Sequence, residues 1–421
     1  MLKNTWLPAS IPNNNKAIKI INTNGSHLYM DNGNILYDGI SSWWCKPLGH
    51  KHPLIINAIQ EQINNFEHHI PANAYNDKLE SLSTKLTSFW LDCSKVLYAS
   101  DGTSAIEIAM KLSYETRVIT NNKNKNKYIA LKNAYHGESI YTLSLCGIDI
   151  YKNKYQNILN KNYFINNIPY LNDYEIDNYQ IDKELEIWIE NIASEVTAII
   201  IEPLVQGASG MKIISPKFLK YLSTLAQKNN IHLICDEIMV GLGRIGYNCV
   251  STEFLSISPD FICFAKNLTA GAIPMSVVLV NKNIVNLFDS TNTTFLHSHT
   301  HSCNSTAVNI ALTYLNTMDS LELNKKAKTW ENKFKILFNQ LNSNYDFIKN
   351  TRVIGSIAAC ELNLNSDIIN NIFNIGIENQ IYLRPIGNTF YVMPPLYNVE
   401  EDFIELEFKI NQIFEKLSLL S

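Results

Sequence analysis

The chain has no Cys-x-x-Cys pair and no stretch approaching the ~18 apolar residues that a membrane span needs. Its eight cysteines stand apart, at 45, 93, 146, 235, 249, 263, 303 and 360. Cys235 and Cys263 fall inside apolar runs, where a thiol packs as a small hydrophobe. That usage speaks against a disulfide framework and for a reducing compartment. Charge of one sign is also missing: 35 Lys and Arg against 39 Asp and Glu leave a net −4, which argues against nucleic acid or an anionic membrane as partner. The opening residues Met1–Trp6 lack the apolar core of a signal peptide, so a soluble cytoplasmic protein is expected. No internal repeat is visible. The chain is expected to carry neither a Walker-type loop nor a Gly-x-Gly-x-x-Gly turn, which sets aside a nucleotide-binding α/β protein. The Asn/Lys-rich stretch 121–127 reads as a solvated loop.

What is present is helix alternating with short apolar strand. Strands are predicted at Tyr128–Leu131, Ala198–Ile201, His232–Cys235, Phe261–Phe264 and Val277–Val280, with an earlier one at Val96–Ala99. Helices are predicted at Pro53–Asn65, Ser104–Arg117 and Pro216–Lys228, and another runs from Ser305 to about Asn316. The strands are continuously apolar rather than alternating, which predicts a mainly parallel sheet covered on both faces, hence an α/β fold. Residues 17–39 read as hairpin strands, Ala17–Asn22, His27–Met30 and Ile35–Asp38, broken by Asn24-Gly25 and Asp31-Asn32-Gly33. The C-terminal part reads as a helix near Leu323–Leu341, a strand Val353–Leu362, a helix Ile368–Asn379, strands Ile381–Leu383 and Phe390–Met393, and a helix Glu400–Leu417. We expect an N-terminal segment at 1–50 that joins a small α+β domain at 323–421, and a large domain at 51–322.

Two strand ends carry chemistry. Lys266 follows the run Phe261–Ala265, and Asp236 ends the run Ile231–Cys235. A lysine amine and a carboxylate so placed suit pyridoxal 5'-phosphate: the amine condenses with the aldehyde and the carboxylate keeps the ring nitrogen protonated. A surface lysine and a helix-capping aspartate are the plainer alternatives. Ser100-Asp101-Gly102-Thr103-Ser104 lies between a strand and a helix, where backbone N–H groups and hydroxyls can hold a phosphate, or merely cap the helix. Tyr135, in Asn133–Gly137, ends another strand and can lie against a ring or pack in the core. Glu202, after Ile200-Ile201, can face a cofactor, pair with an arginine or cap a helix. His297, His299 and His301 alternate and would share one face of a strand, but no acidic or cysteine ligand is spaced beside them, so no metal site is assigned.

The ordered set Asp101-Gly102-Thr103, Tyr135-His136-Gly137, Glu202-Pro203, Asp236-Glu237-Ile238, Lys266 and His299-Thr300 resembles class III (subgroup II) aminotransferases of the type I pyridoxal phosphate fold, over nearly the whole chain. Gly39–Trp44, Val205–Met211, Phe295–His297, Arg384–Gly387 and Tyr391–Pro395 are similar to the branch that aminates 8-amino-7-oxononanoate in biotin biosynthesis. The resemblance implies a homodimer acting on small molecules, with sites at the subunit interface. It implies Lys266 as the cofactor-bearing lysine, Asp236 as ring partner, and Gly102, Thr103, His299 and Thr300 around the phosphate, the last from a neighbouring subunit. It implies Tyr135 stacked on the ring and touching substrate, and Trp43, Ser298 and Arg384 lining the substrate site. Arg384 suits a carboxylate clamp because its planar fork matches both oxygens. Three positions depart from the family pattern. Leu7-Pro8-Ala9-Ser10 has Ala9 where a tyrosine is usual, Ser298-His299-Thr300 replaces Gly-Pro-Thr, and Ala265 replaces a glycine. Ala9 leaves the donor open between S-adenosylmethionine and lysine, and the ornithine, 4-aminobutyrate and polyamine types are the rival activities.

Overall fold

A computed structural model describes residues 4–12, 17–172 and 175–421. Met1–Lys3, part of the opening stretch read above, lie outside them. The centre is a seven-stranded sheet in the order Cys93–Ala99, Ser276–Asn281, Phe261–Phe264, His232–Asp236, Val196–Ile201, Lys127–Leu131, Tyr163–Ile165. Ser276–Asn281 runs antiparallel to both neighbours, and every other pairing is parallel. Every residue of Val196–Ile201, His232–Asp236, Phe261–Phe264 and Ser276–Asn281 is buried. That is why these strands read as unbroken apolar runs: helices cover both faces.

The predicted helices form where their caps stand. Asn304 accepts from Ala307 N to open Ser305–Ser320, and Ser215 accepts from Phe218 N to open Pro216–Lys228. Three smaller sheets flank the centre. One joins Ile20–Asn24, His27–Met30 and Ile35–Asp38 to Ile381–Tyr382, so the N-terminal hairpins share a sheet with a strand more than three hundred residues on. Another pairs Ile348–Ile354, Ile357–Leu362 and Thr389–Val392 beneath the helix Leu323–Asn344. The last pairs Tyr170–Leu171, Lys212–Ile214 and Val205–Gln206. Among the described residues no helix is long and apolar enough to cross a membrane.

Four expectations change. The first hairpin strand is Ile20–Asn24, three residues beyond its predicted start. The run Val353–Leu362 is not one strand: the chain reverses at Gly355, whose φ is +54°, and two antiparallel strands meet there. The histidines 297, 299 and 301 lie outside any strand, so no single face presents all three; the His297 ring stacks on Phe295 instead. Gly241-Leu242-Gly243-Arg244-Ile245-Gly246 does spell Gly-x-Gly-x-x-Gly, yet the run forms turns and opens no helix, so it presents no helix N-terminus to a phosphate. The Arg244 inside it is fully buried and donates to Pro394 O, Ser356 Oγ and Asn267 Oδ1, tying the turn to distant segments.

Two glycines separate crowding from backbone strain. A Cβ on Gly355 would stand 2.3 Å from Ile245 Cα, whereas one on Gly33, with φ +88°, would meet nothing within 4 Å. In urea denaturation, Gly355→Ala should therefore lose about 3 kcal/mol and Gly33→Ala about 1 kcal/mol. Equal losses would contradict the packing assigned to the reversal.

Candidate active site

The C-terminal ends of the parallel strands converge on one cavity of about 370 Å³. Ser100–Thr103 follow the strand Cys93–Ala99, Tyr135–Gly137 follow Lys127–Leu131, Glu202 follows Val196–Ile201, Asp236 closes His232–Asp236, and Lys266 follows Phe261–Phe264; all line it. Sequence order is scattered, but strand order brings the five segments to one edge.

Asp236 is held from two sides. Its Oδ2 lies 2.8 Å from His136 Nδ1, and its Oδ1 accepts from Ile238 N at 3.2 Å. A carboxylate only accepts, so the His136 Nδ1 nitrogen carries the proton. The opposite nitrogen, His136 Nε2, is buried and has no hydrogen-bond partner among the described residues. Lys266 opens the short turn Lys266–Thr269, with its Nζ 5.3 Å from the centroid of the Trp44 ring. Burial lowers the affinity of this amine for its proton, while the carboxylates of Asp236 and Glu202 work against the shift. A neutral amine is the form that attacks a carbonyl.

Glu202 is buried and accepts from Tyr135 N at 3.1 Å and Gly207 N at 3.2 Å. Burial pushes its carboxyl up to about 7; His136 and the two backbone donors oppose this, and Asp236 adds to it. Tyr135 donates its hydroxyl to Glu138 at 2.9 Å and packs edge-on against Tyr151, ring centroids 5.3 Å apart.

The described residues fit pyridoxal phosphate. The helix Gly102–Ile119 points its N-terminus into the cavity, capped by Asp101, which accepts from Ser104 N at 2.9 Å. The first N–H groups of a helix have no partner within it, so those of Gly102 and Thr103 are suited to an anion. Gly137 permits this closeness, since a Cβ there would stand 2.4 Å from Thr103 Oγ1. Asp236 suits the ring nitrogen, Lys266 the aldehyde, and Ile238 and Tyr135 supply apolar surface for the ring.

The remaining predicted residues lie elsewhere. Trp44, not Trp43, lines the cavity. Trp43 is exposed and carries the Arg384 guanidinium 4.3 Å above its ring centroid. Ser298, His299 and Thr300 are exposed on a loop, where Thr300 O meets His68 Nε2 at 2.9 Å, and none lines the cavity of a single chain. Sequence reasoning left the role of Glu202 open and gave none to His136. Both adjoin marked strand ends, but their contacts span about 65 to 100 residues, and no local pattern signals them.

The turn bearing the two tryptophans is left-handed. Ser41, Ser42, Trp43 and Trp44 have φ of 49°, 46°, 69° and 76°. Such residues cost roughly 1–2 kcal/mol each, so the surroundings must hold them.

The raised Glu202 carboxyl has a signed consequence. The unfolded chain releases that proton near 4.5 and the folded one near 7, so native stability falls as pH rises between them. Glu202→Gln has no such proton. The melting temperature of the cofactor-free variant, relative to the unaltered chain, should climb from about pH 5 to about pH 8. A difference that stays flat would contradict the burial of this group.

Comparison with known proteins gives the family. The family model for Aminotransferase class-III matches residues 10–414. The adenosylmethionine-8-amino-7-oxononanoate aminotransferase of Helicobacter pylori is 31% identical, covering 99% of this chain and 97% of its own. The protein of that name from Synechococcus elongatus is 30% identical, over 93% of each. The crystal structure of the Methanocaldococcus jannaschii protein of that name superposes with a TM-score of 0.89 at 26% identity, covering 98% of this chain and 97% of that one. An amine transaminase from an uncultivated Pseudomonas species, solved in its PLP-bound form, shares the fold with a TM-score of 0.91 at 23% identity over 99% of both chains. The chain belongs to the class III aminotransferases, pyridoxal-phosphate-dependent transaminases.

Proposed function

We propose that the chain transfers an amino group from S-adenosylmethionine to 8-amino-7-oxononanoate, giving 7,8-diaminononanoate for biotin biosynthesis. The observation that carries this reading is similarity of about 30% along nearly the full length of several proteins with that name, joined to a cavity holding Lys266 and Asp236. Pyridoxal phosphate, when bound, supplies an aldehyde that takes up and returns an amine, and a ring that accepts electron density.

The chain's own residues do the rest. Gly102 and Thr103 N–H groups would hold the phosphate, Asp236 would meet the ring nitrogen and Tyr135 would lie against the ring. His136 Nδ1 donates to Asp236 Oδ2 and orients that carboxylate toward the place of the ring nitrogen. Lys266 Nζ would hold the aldehyde and, as a free amine, would move the proton at the substrate carbon. Arg384 clamps a carboxylate of each substrate, with Trp43 and Trp44 as the wall along the aliphatic chain. Ser298, His299 and Thr300 complete the phosphate and substrate sites of a second copy, which makes the working unit a C2 homodimer. We divide the chain into a cofactor-binding part, 51–322, and a smaller part formed by 1–50 and 323–421, and place the enzyme in the cytoplasm. Lysine as donor stays as a second reading, because Ala9 offers neither an aromatic ring nor a side-chain hydrogen bond where the family has tyrosine.

A donor panel tests the proposal. Mixed with the pyridoxal-form enzyme, S-adenosylmethionine should discharge the visible absorbance, and 8-amino-7-oxononanoate should restore it. Discharge by lysine alone would overturn the donor. Restoration by 2-oxoglutarate and not by 8-amino-7-oxononanoate would overturn the acceptor.

A further inference from the structure

We propose that Asp38 is a positioning residue for substrate selection. It locks the left-handed turn Ser41–Trp44, so that Trp43 stays beneath Arg384 while Trp44 stays beside Lys266. The proposal rests on the reading of Arg384 as a carboxylate clamp and names what aims that clamp.

Four consecutive residues in the left-handed region, none of them glycine, do not hold themselves there. Asp38 supplies the anchor. It is fully buried and does not line the cavity. Its Oδ1 accepts from Ser42 N at 2.9 Å; its Oδ2 accepts from Ser42 Oγ at 2.7 Å and lies 2.9 Å from His50 Nε2. One carboxylate thus takes both donors of a residue inside the turn, and His50, itself buried, fixes the carboxylate. The far side is tied as well: Ser41 donates to Met393 O at 2.7 Å, and Trp44 Nε1 to Tyr391 Oη at 3.1 Å.

The sheet explains why this matters to Arg384. Asp38 is paired in register with Tyr382 on the neighbouring strand, and Arg384 lies two residues beyond Tyr382. Trp43 and Arg384 thus follow that pair by five and two residues, and the indole and the guanidinium meet at 4.3 Å. Stacking uses the face of the guanidinium and leaves its N–H edge free for a carboxylate. Release of the turn would move the indole and let the guanidinium rotate, while Lys266, Asp236 and the phosphate-binding helix kept their own supports.

The experiment compares 8-amino-7-oxononanoate with its methyl ester, using the holoenzyme. Asp38→Ala should raise KM for the acid about tenfold and leave kcat within about threefold, with little change for the ester. Combined with Arg384→Ala it should add no further loss for the acid, since both act through one contact. Equal effects on acid and ester, full additivity with Arg384→Ala, or an unchanged KM would each overturn the proposal. Should Asp38→Ala fail to fold, Ser42→Ala, which keeps the backbone N–H and loses the hydroxyl bond, must show the same pattern at smaller size, and its absence would be equally decisive. If Arg384→Ala itself leaves the KM of the acid unchanged, the clamp reading has failed instead. The anchor is then judged by acrylamide quenching of the fluorescence that Trp43→Phe removes, which must increase in the Asp38 or Ser42 variant and would overturn the proposal if unaltered.

Discussion

The structure depends on bringing one amine and one buried carboxylate into a shared cavity. Lys266 and Asp236 come from strands that are neighbours in space and thirty residues apart in sequence. Burial weakens the hold of the lysine on its proton, and the carboxylates of Asp236 and Glu202 restrain that shift. Burial thus favours the neutral, nucleophilic form of the amine, and the neighbouring carboxylates oppose it. The parallel sheet makes the arrangement possible, because its strands end on one edge and each end delivers one polar group to the same space.

Around this centre, polar groups hold other polar groups in place. His136 fixes Asp236, and Glu202 joins the backbone after Leu131 to the turn at Gly207. Asp38 fixes Ser42, and Arg244 joins the turn at Gly243 to Pro394, Ser356 and Asn267. None of these is an exposed ion pair of the kind that contributes little. Each buries a polar group that must find its partner or destabilise the fold, so each fixes a position as well as adding an interaction.

Much of this was legible in the residues. Phe261–Phe264, Pro53–Asn65 and Pro216–Lys228 fall where the pattern put them, because an unbroken apolar run, or a proline at a helix start, is a local signal. Lys266, Asp236, Gly102, Thr103 and Tyr135 were likewise marked by strand ends, and they share one cavity. The reversal at Gly355 was hidden because Val353–Leu362 is apolar through the turn, and only the crowding against Ile245 shows why a glycine stands there. The left-handed turn at Ser41–Trp44 was hidden for the opposite reason: it contains no glycine, and besides Asp38 its partners are Met393 and Tyr391, about 350 residues along the chain. Trp44 thereby takes the cavity wall, and Trp43 the stack with Arg384. The exposed run Ser298–Thr300 gives no local sign of a role within one chain.

A single amine, that of Lys266, is proposed to carry the cofactor. Reduction of the pyridoxal-form enzyme with borohydride, followed by peptide mass mapping, tests it directly. A stable pyridoxyl adduct should appear on the peptide containing Lys266 and on no other. An adduct on a different lysine, or none despite bound cofactor, would contradict it.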